Sequence, residues 1–174
     1  YPADWLVPDW PAPPRVRAVF TSRTGGVSLP PFDSMNLGDH VGDALSHVAA
    51  NRATLQRSAA MHAVFLKQTH GFHTEMLTPQ TPDAQEADAC VTAEPGLACT
   101  VMVADCLPVL LSTMQGDVVA AAHAGWRGLA GDGGLQSGGI LASVYASLSA
   151  LAQQIRAQGA IETIAWLGPC IGPT

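Results

Sequence analysis

His70, Cys106 and His123 are the three side chains in this sequence best suited to act together on one metal ion or substrate. Each follows an apolar run and stands where the chain turns. Phe65-Leu-Lys-Gln-Thr-His-Gly71 delivers the first and Thr100-Val-Met-Val-Ala-Asp-Cys-Leu-Pro108 the second. Val118-Val-Ala-Ala-Ala-His-Ala-Gly-Trp-Arg-Gly128 delivers the third. Polar exits from buried strands are where binding and catalytic groups concentrate. Two imidazoles and a thiolate suit Zn²⁺ with a fourth position open, the pattern of a catalytic rather than a structural site. The same donors also suit copper. Without a metal, two hydrogen-bonded histidines and a packed thiol would account for the same residues. Sequence spacing does not choose between these readings, because no compact metal motif is present.

The neighbours of these residues add to the chemistry. Asp105 directly precedes Cys106, where it could orient a ligating imidazole, move a proton or cap a turn. Arg127, four residues after His123, and Arg23 could each meet an anionic group on a substrate.

Positioning such exits takes strands. Val16–Ser22, Val64–Gln68, Phe72–Leu77, Ala87–Thr92, Ala98–Ala104, Pro108–Ser112, Asp117–Ala124 and Ile161–Leu167 are β-like in length and content. A helix is expected from Asp43, as its cap, to about Ala60. Another is expected where Ile140, Leu141, Val144, Tyr145, Leu148, Leu151 and Ile155 recur at helical spacing; that stripe reads as core. About seven strands and two long helices without strict alternation predict a mixed α+β layered fold rather than a doubly wound parallel sheet. Arg23–Gly38 is an irregular loop, long enough to be functional. The glycine-rich Gly131–Gly139 stretch matches neither nucleotide-loop fingerprint. Residues 1–14, rich in proline and carrying Trp5 and Trp10, read as an extended arm; residues 15–174 read as one catalytic domain, C-terminally incomplete.

Several blocks together resemble the YfiH family, also called the polyphenol oxidase or "laccase"-domain family. They are Arg23-Thr-Gly-Gly-Val-Ser, Asn36-Leu-Gly, Asn51-Arg, Gln68-Thr-His-Gly, Asp88-Ala, Ala104-Asp-Cys-Leu-Pro-Val, Ala122-His-Ala-Gly-Trp-Arg-Gly and Leu167-Gly-Pro-Cys-Ile-Gly. The resemblance implies an α/β/β/α layered fold with a zinc site on His70, Cys106 and His123. It implies phosphorolysis of purine nucleosides (adenosine, inosine, guanosine or methylthioadenosine) and deamination of adenosine. Under it, Asp105 is the candidate for proton transfer, and Arg23, Asn36, Gln68 and Arg127 are candidates to hold phosphate or nucleoside.

Three competing readings follow from the same residues. The family's alternative name suggests copper-dependent phenol oxidation; a full multicopper enzyme would need more imidazoles than the six His supply. Cys106 beside a histidine could act as a metal-free thiolate nucleophile. The family's link to peptidoglycan quality control suggests a cell-wall precursor as substrate.

Bulk properties set the limits. With 174 residues, 48% hydrophobic and 13% charged, the chain can bury a substantial core. A formal net charge of -6 argues against non-specific binding to nucleic acid or acidic membrane surfaces. No apolar run reaches a membrane span and no signal peptide is visible, so the cytoplasm is the expected compartment. The four cysteines read as mostly free buried thiols.

Overall fold

The computed structural model describes residues 1–131, 138–156 and 159–172. The predicted Gly131–Gly139 loop therefore lies largely outside the described residues. The chain divides into two compact units, one of Tyr1–Pro8 with Ala18–His62 and one of Asp9–Arg17 with Ala63–Thr174.

The first unit contains helix α1 (Leu45–Ala59) and the Arg23–Gly38 loop. The expected strand over Val16–Ser22 does not form. Phe20 makes a single antiparallel bridge to Leu6, while the Val16 amide turns back onto the Pro13 carbonyl at 2.8 Å. Asp43 does not cap the helix either. The N-cap is Ala44 with no side-chain cap, and the Asp43 carboxylate instead accepts from Ser28 Oγ (2.6 Å), Asn36 Nδ2 (2.9 Å) and the Ala44 amide (2.7 Å). Loop donors prevail over the helix terminus because the irregular loop has no ladder of its own to satisfy them. Asn51, fully buried on α1, completes the clamp. Its Nδ2 donates to Ser28 Oγ, Ser34 O and Asn36 O, and its Oδ1 accepts from Val27 N.

The second unit is built on two sheets. β1 (His62–Phe65) pairs with β4 (Leu97–Thr100). The larger sheet has the order β2-β3-β6-β5-β7, with β2 (Thr74–Met76), β3 (Ala89–Thr92), β5 (Leu107–Thr113), β6 (Val119–Ala124) and β7 (Thr163–Leu167). The β2–β3 pair is parallel; β3–β6, β6–β5 and β5–β7 are antiparallel. Two-residue alternation then sorts side chains between its faces. Ala89, Val91, Val109, Leu111, Ala120 and Ala122 point to a cluster shared with Ile140, Val144, Leu148 and Ala152 of α3 (Gly139–Ile155). Cys90 and Ala121 point the other way, into a cluster with Val64, Leu66 and Leu97 beneath the two-stranded sheet. The alanines of β6 are small enough for α3 to lie close. Full burial of Ile140, Val144 and Leu148 contributes about 1.5–3 kcal/mol each. Of the predicted apolar stripe, Ile140, Val144 and Leu148 are core, whereas Leu141, Tyr145 and Ile155 are exposed.

The fold is mixed α+β, as the pattern of elements predicts, and the second unit shows α3, five-stranded sheet and two-stranded sheet as successive layers. β1 and β4 stop at Phe65 and Thr100, short of the expected Gln68 and Ala104, because the chain beyond them forms the turns that carry His70 and Cys106, whereas β5 runs one residue past the expected Pro108–Ser112 at each end. A short helix that the sequence pattern does not predict, α2 (Trp126–Ala130), follows β6 directly. Among the described residues, no helix is long and apolar enough to cross a membrane.

The C-terminal end of α3 is pinned by charge. Arg156 Nε donates to Asp117 Oδ2 at 2.6 Å, its NH2 to Asp117 Oδ1, and its NH1 to Gln115 Oε1 at 2.7 Å. The hydrogen bond from Arg156 leads the causes that hold the Asp117 carboxyl at about 2, below its ordinary 3.8. A depressed carboxylate stabilises the fold above its unfolded pKa and loses that contribution as pH falls through its folded one. Arg156→Met is therefore expected to cost about 1–2 kcal/mol at pH 7. Thermal melts of both proteins should converge as the pH approaches 2; a difference that stays constant with pH would refute this.

Candidate metal centre

Asp88 is the hub from which the site is assembled. It is fully buried in the turn before β3, inside the apolar run Ala87-Asp-Ala-Cys-Val91. The chain at His70 adopts a left-handed conformation (φ 60°), which turns three successive amides inward. Thr69 N and Gly71 N donate to Asp88 Oδ2 at 3.0 and 2.7 Å, and His70 N donates to Oδ1 at 2.9 Å. The Thr69 hydroxyl adds a bond of 3.2 Å. From the other side, His123 gives its backbone amide to Asp88 O at 2.7 Å, and its Nδ1 lies 2.8 Å from Asp88 Oδ1. One residue thus ties the His70 loop to the strand that carries His123.

The electrostatics fix the state of that contact. Burial alone would raise the Asp88 pKa, but the bonds from His123 and the Gly71, Thr69 and His70 amides outweigh it and hold the carboxyl at about 2. Asp88 is then an anion that can only accept, so His123 Nδ1 carries the proton and donates it. His123 Nε2 keeps its lone pair, the tautomer that metal-ligating histidines have when a carboxylate holds the other nitrogen.

His123 stands on the sheet face opposite α3, because it alternates with Ala122 and Ala124. Cys106 immediately precedes β5, whose first residue, Leu107, pairs with Ala124. The two imidazoles meet edge to face with centroids 4.7 Å apart. The ligand atoms of His70, Cys106 and His123 all lie within 4.8 Å of one another, so the three exits do converge. Gly125 makes room for them. A Cβ there would come 3.0 Å from His70 Cδ2, 3.2 Å from Cys106 Sγ and 3.8 Å from His123 Cε1. Gly128 does the same one turn later, where a Cβ would meet the Gly71 carbonyl at 2.7 Å.

Burial raises the Cys106 thiol, and so do the charge of Asp105, its hydrogen bond and the charge of Asp88. Protein groups alone therefore disfavour a thiolate here; a bound cation would reverse that balance. The donor set, the lack of a side chain at Gly125 and the carboxylate-held imidazole all fit a metal ion.

The other predicted site residues are placed as follows. Asp105 is exposed beside Cys106. Arg127 is exposed on α2, its guanidinium carbon 4.7 Å from the Trp126 ring centre, and Trp126 itself is 71% exposed. Gln68 uses both ends of its amide on one backbone residue, Nε2 to Met102 O at 2.8 Å and Oε1 from Met102 N at 2.7 Å. It joins the His70 loop to the segment leading to Cys106. Arg23 and Asn36 belong to the first unit and are engaged there. Arg23 Nε donates to Asp33 O at 2.8 Å, and Asn36 bonds Asp43 and Gly38. Sequence alone assigns no role to Asp88 or Gly125. The available signal for Asp88 is a carboxylate inside an apolar run, which demands a partner.

Known proteins resemble the chain along almost its whole length. A family described as "Multi-copper polyphenol oxidoreductase laccase" matches residues 17–174. The chain belongs to this laccase family. It is 46% identical over 169 residues to the purine nucleoside phosphorylase PA4543 of Pseudomonas aeruginosa, covering 97% of this chain and 63% of that protein. It is 43% identical over 170 residues to the purine nucleoside phosphorylase YfiH of Escherichia coli, covering 97% and 64%. The crystal structure of Neisseria meningitidis protein NMB0706 superposes with a TM-score of 0.79 at 40% identity, over 97% of this chain and 63% of that one. The chain thus spans just under two thirds of the length of these relatives. The resemblance to YfiH proteins and the mixed α+β fold are both borne out.

Proposed function

We propose that this chain bears the metal centre of a zinc-dependent purine nucleoside enzyme. The proposed reactions are phosphorolysis of adenosine, inosine, guanosine or methylthioadenosine, and deamination of adenosine. The observation that carries the reading is the convergence of His70, Cys106 and His123 within 4.8 Å, with His123 oriented by a buried carboxylate. The names of the relatives supply the substrate class. When bound, zinc would act as a Lewis acid toward a substrate atom or a water.

The residues divide the remaining work. Asp88 keeps His123 in the ligating tautomer and holds the His70 loop. Gln68 fixes that loop against the Met102 segment, a positioning role rather than the substrate contact expected for it. Asp105, exposed beside Cys106, accepts and returns the proton. Arg127, resting on Trp126, offers its cation to phosphate. Burial of the Cys106 thiol and its two acidic neighbours speak against the metal-free nucleophile.

The family's description favours a second reading, copper-dependent phenol oxidation on the same donors. Metal analysis of protein purified without added copper separates the two: zinc is expected, and stoichiometric copper with phenol turnover overturns the first reading. Cys106→Ser is expected to lose zinc and both nucleoside activities. Full turnover by the metal-free variant would end the zinc reading. Incubation with adenosine resolves the reaction, since inosine reports deamination and phosphate-dependent adenine reports phosphorolysis.

A further inference from the structure

We propose that the segment 168–172 is a positioning strap for the metal centre, holding Cys106 in place against His70 and His123. The segment follows β7 and carries most of the Leu167-Gly-Pro-Cys-Ile-Gly block. Two backbone hydrogen bonds define it. The Gly168 amide donates to Pro108 O at 2.9 Å, and the Ile171 amide donates to Asp105 O at 2.9 Å. The accepting carbonyls stand three residues apart, as do the donors, so the two bonds close a ring that brackets Cys106 and Leu107. Both ends of the ring touch the donor set. Asp105 is the chain neighbour of Cys106, and Pro108 is the register partner of His123 on β6. Residues 104–106 bend and belong to no strand, so the Asp105 carbonyl is held by the strap rather than by a sheet ladder.

Burial separates this role from core packing. Residues 169–172 are exposed, Ile171 to 67%, so their side chains add little to a core. Gly168 is the buried exception. A Cβ there would stand 2.7 Å from Pro108 Cγ, and 2.7 and 2.9 Å from Trp166 Cζ3 and Cη2. A proline ring and an indole are rigid, so a methyl at this position would push the strap off Pro108. Hydrogen bonds made just outside a donor set fix the orientation of the ligands themselves. The two strap amides act in this way on the turn that presents Cys106. Gln68 grips Met102 on the other side of the same turn. The effect on metal affinity rests on the zinc reading; the placement of the Cys106 thiol does not.

The test compares the full chain with Ile171→Pro, Ile171→Ala and Gly168→Ala. Proline deletes the amide that bonds Asp105 O, whereas alanine keeps it and removes an exposed side chain. One readout is zinc affinity against a chromophoric chelator. The other is alkylation of Cys106 by iodoacetamide in metal-free protein at one pH, followed by peptide mass spectrometry. Ile171→Pro should weaken zinc binding on the order of tenfold. Its Cys106 should also be alkylated several times faster than the parent's, because the released turn exposes the thiol. Charge-transfer absorption from the Cys106 sulfur to bound cobalt should weaken, a signature that lost stability alone leaves in place. Ile171→Ala should match the parent, and Gly168→Ala should follow the proline variant. An alkylation rate in Ile171→Pro equal to the parent's overturns the proposal. An equal gain in Ile171→Ala does the same, since the side chain would then be responsible. If the proline variant does not melt cooperatively, Gly168→Ala decides by the same rate. A parent that takes up no zinc, with alkylation still faster in the proline variant, would defeat the zinc reading and support the strap.

Discussion

Asp88→Ala is expected to be the most damaging single substitution in the second unit. It leaves His123 Nδ1 and the amides of Thr69, His70 and Gly71 without their acceptor in a buried place. Leaving such a donor unsatisfied costs about 1–3 kcal/mol for each group that water does not reach. Metal affinity should fall on the order of 10–100-fold, the usual effect of losing a carboxylate behind a ligating histidine. Asp88→Asn separates the two roles. Its amide oxygen, in the Oδ2 position, can still accept from Thr69 and Gly71, leaving only the His70 amide unmet, so stability should drop less. Its NH₂ would donate to His123 Nδ1 and move the ring proton to Nε2, so metal affinity should fall as far as in the alanine variant. Asn that binds metal as tightly as Asp would refute the tautomer argument. The pH dependence carries a definite sign. The folded pKa of about 2 lies below the ordinary 3.8, so Asp88 contributes about 2 kcal/mol above pH 4. That contribution disappears as pH falls through 2, so the stability gap between the parent and Asp88→Ala proteins should narrow by about 2 kcal/mol there.

Gly125→Ala is expected to damage the metal centre more than the fold. Gly125 has φ −67° and ψ 159°, ordinary extended values, so alanine meets no backbone strain. The penalty is spatial, because the new methyl would press on His70 Cδ2 and Cys106 Sγ together. Overpacking of this kind costs about 1–3 kcal/mol. A ligand displaced by even a fraction of an ångström loses geometry, and misplacement of about 1 Å costs on the order of 100-fold in rate. Metal affinity and turnover should therefore fall at least about tenfold while the protein still melts cooperatively. Unchanged affinity would mean that the His70 loop yields to the methyl and that the glycine is not required.

The residues behind these expectations differ in how visible they are before folding. His70, Cys106 and His123 stand out because imidazoles and a thiol at the ends of apolar runs are chemically conspicuous. The α3 stripe is legible for a similar reason, since helical spacing of Ile140, Val144 and Leu148 reports one buried face. The N-terminal strand and the Asp43 cap fail for a shared reason. Both are local patterns, and their hydrogen-bonding groups find better partners across the loop, Leu6 for Phe20 and Ser28 and Asn36 for Asp43. Asp88 is hard to weigh because an aspartate in an apolar run announces a need for partners without naming them. Those partners come from the Thr69–Gly71 loop and from His123, and only strand pairing brings them together.

Residue types alone establish which chemistry is available: two imidazoles, one thiol, a carboxylate beside the thiol and an arginine close behind, on a chain apolar enough to bury their supports. Side-chain periodicity establishes the kinds of element that carry them. Everything else waits for the folded chain. The antiparallel register of β5 and β6 puts Cys106 beside Gly125, and the left-handed turn at His70 aims three amides at one carboxylate. Register and burial are relations between distant segments, set by packing of the whole sheet, and no local pattern encodes them.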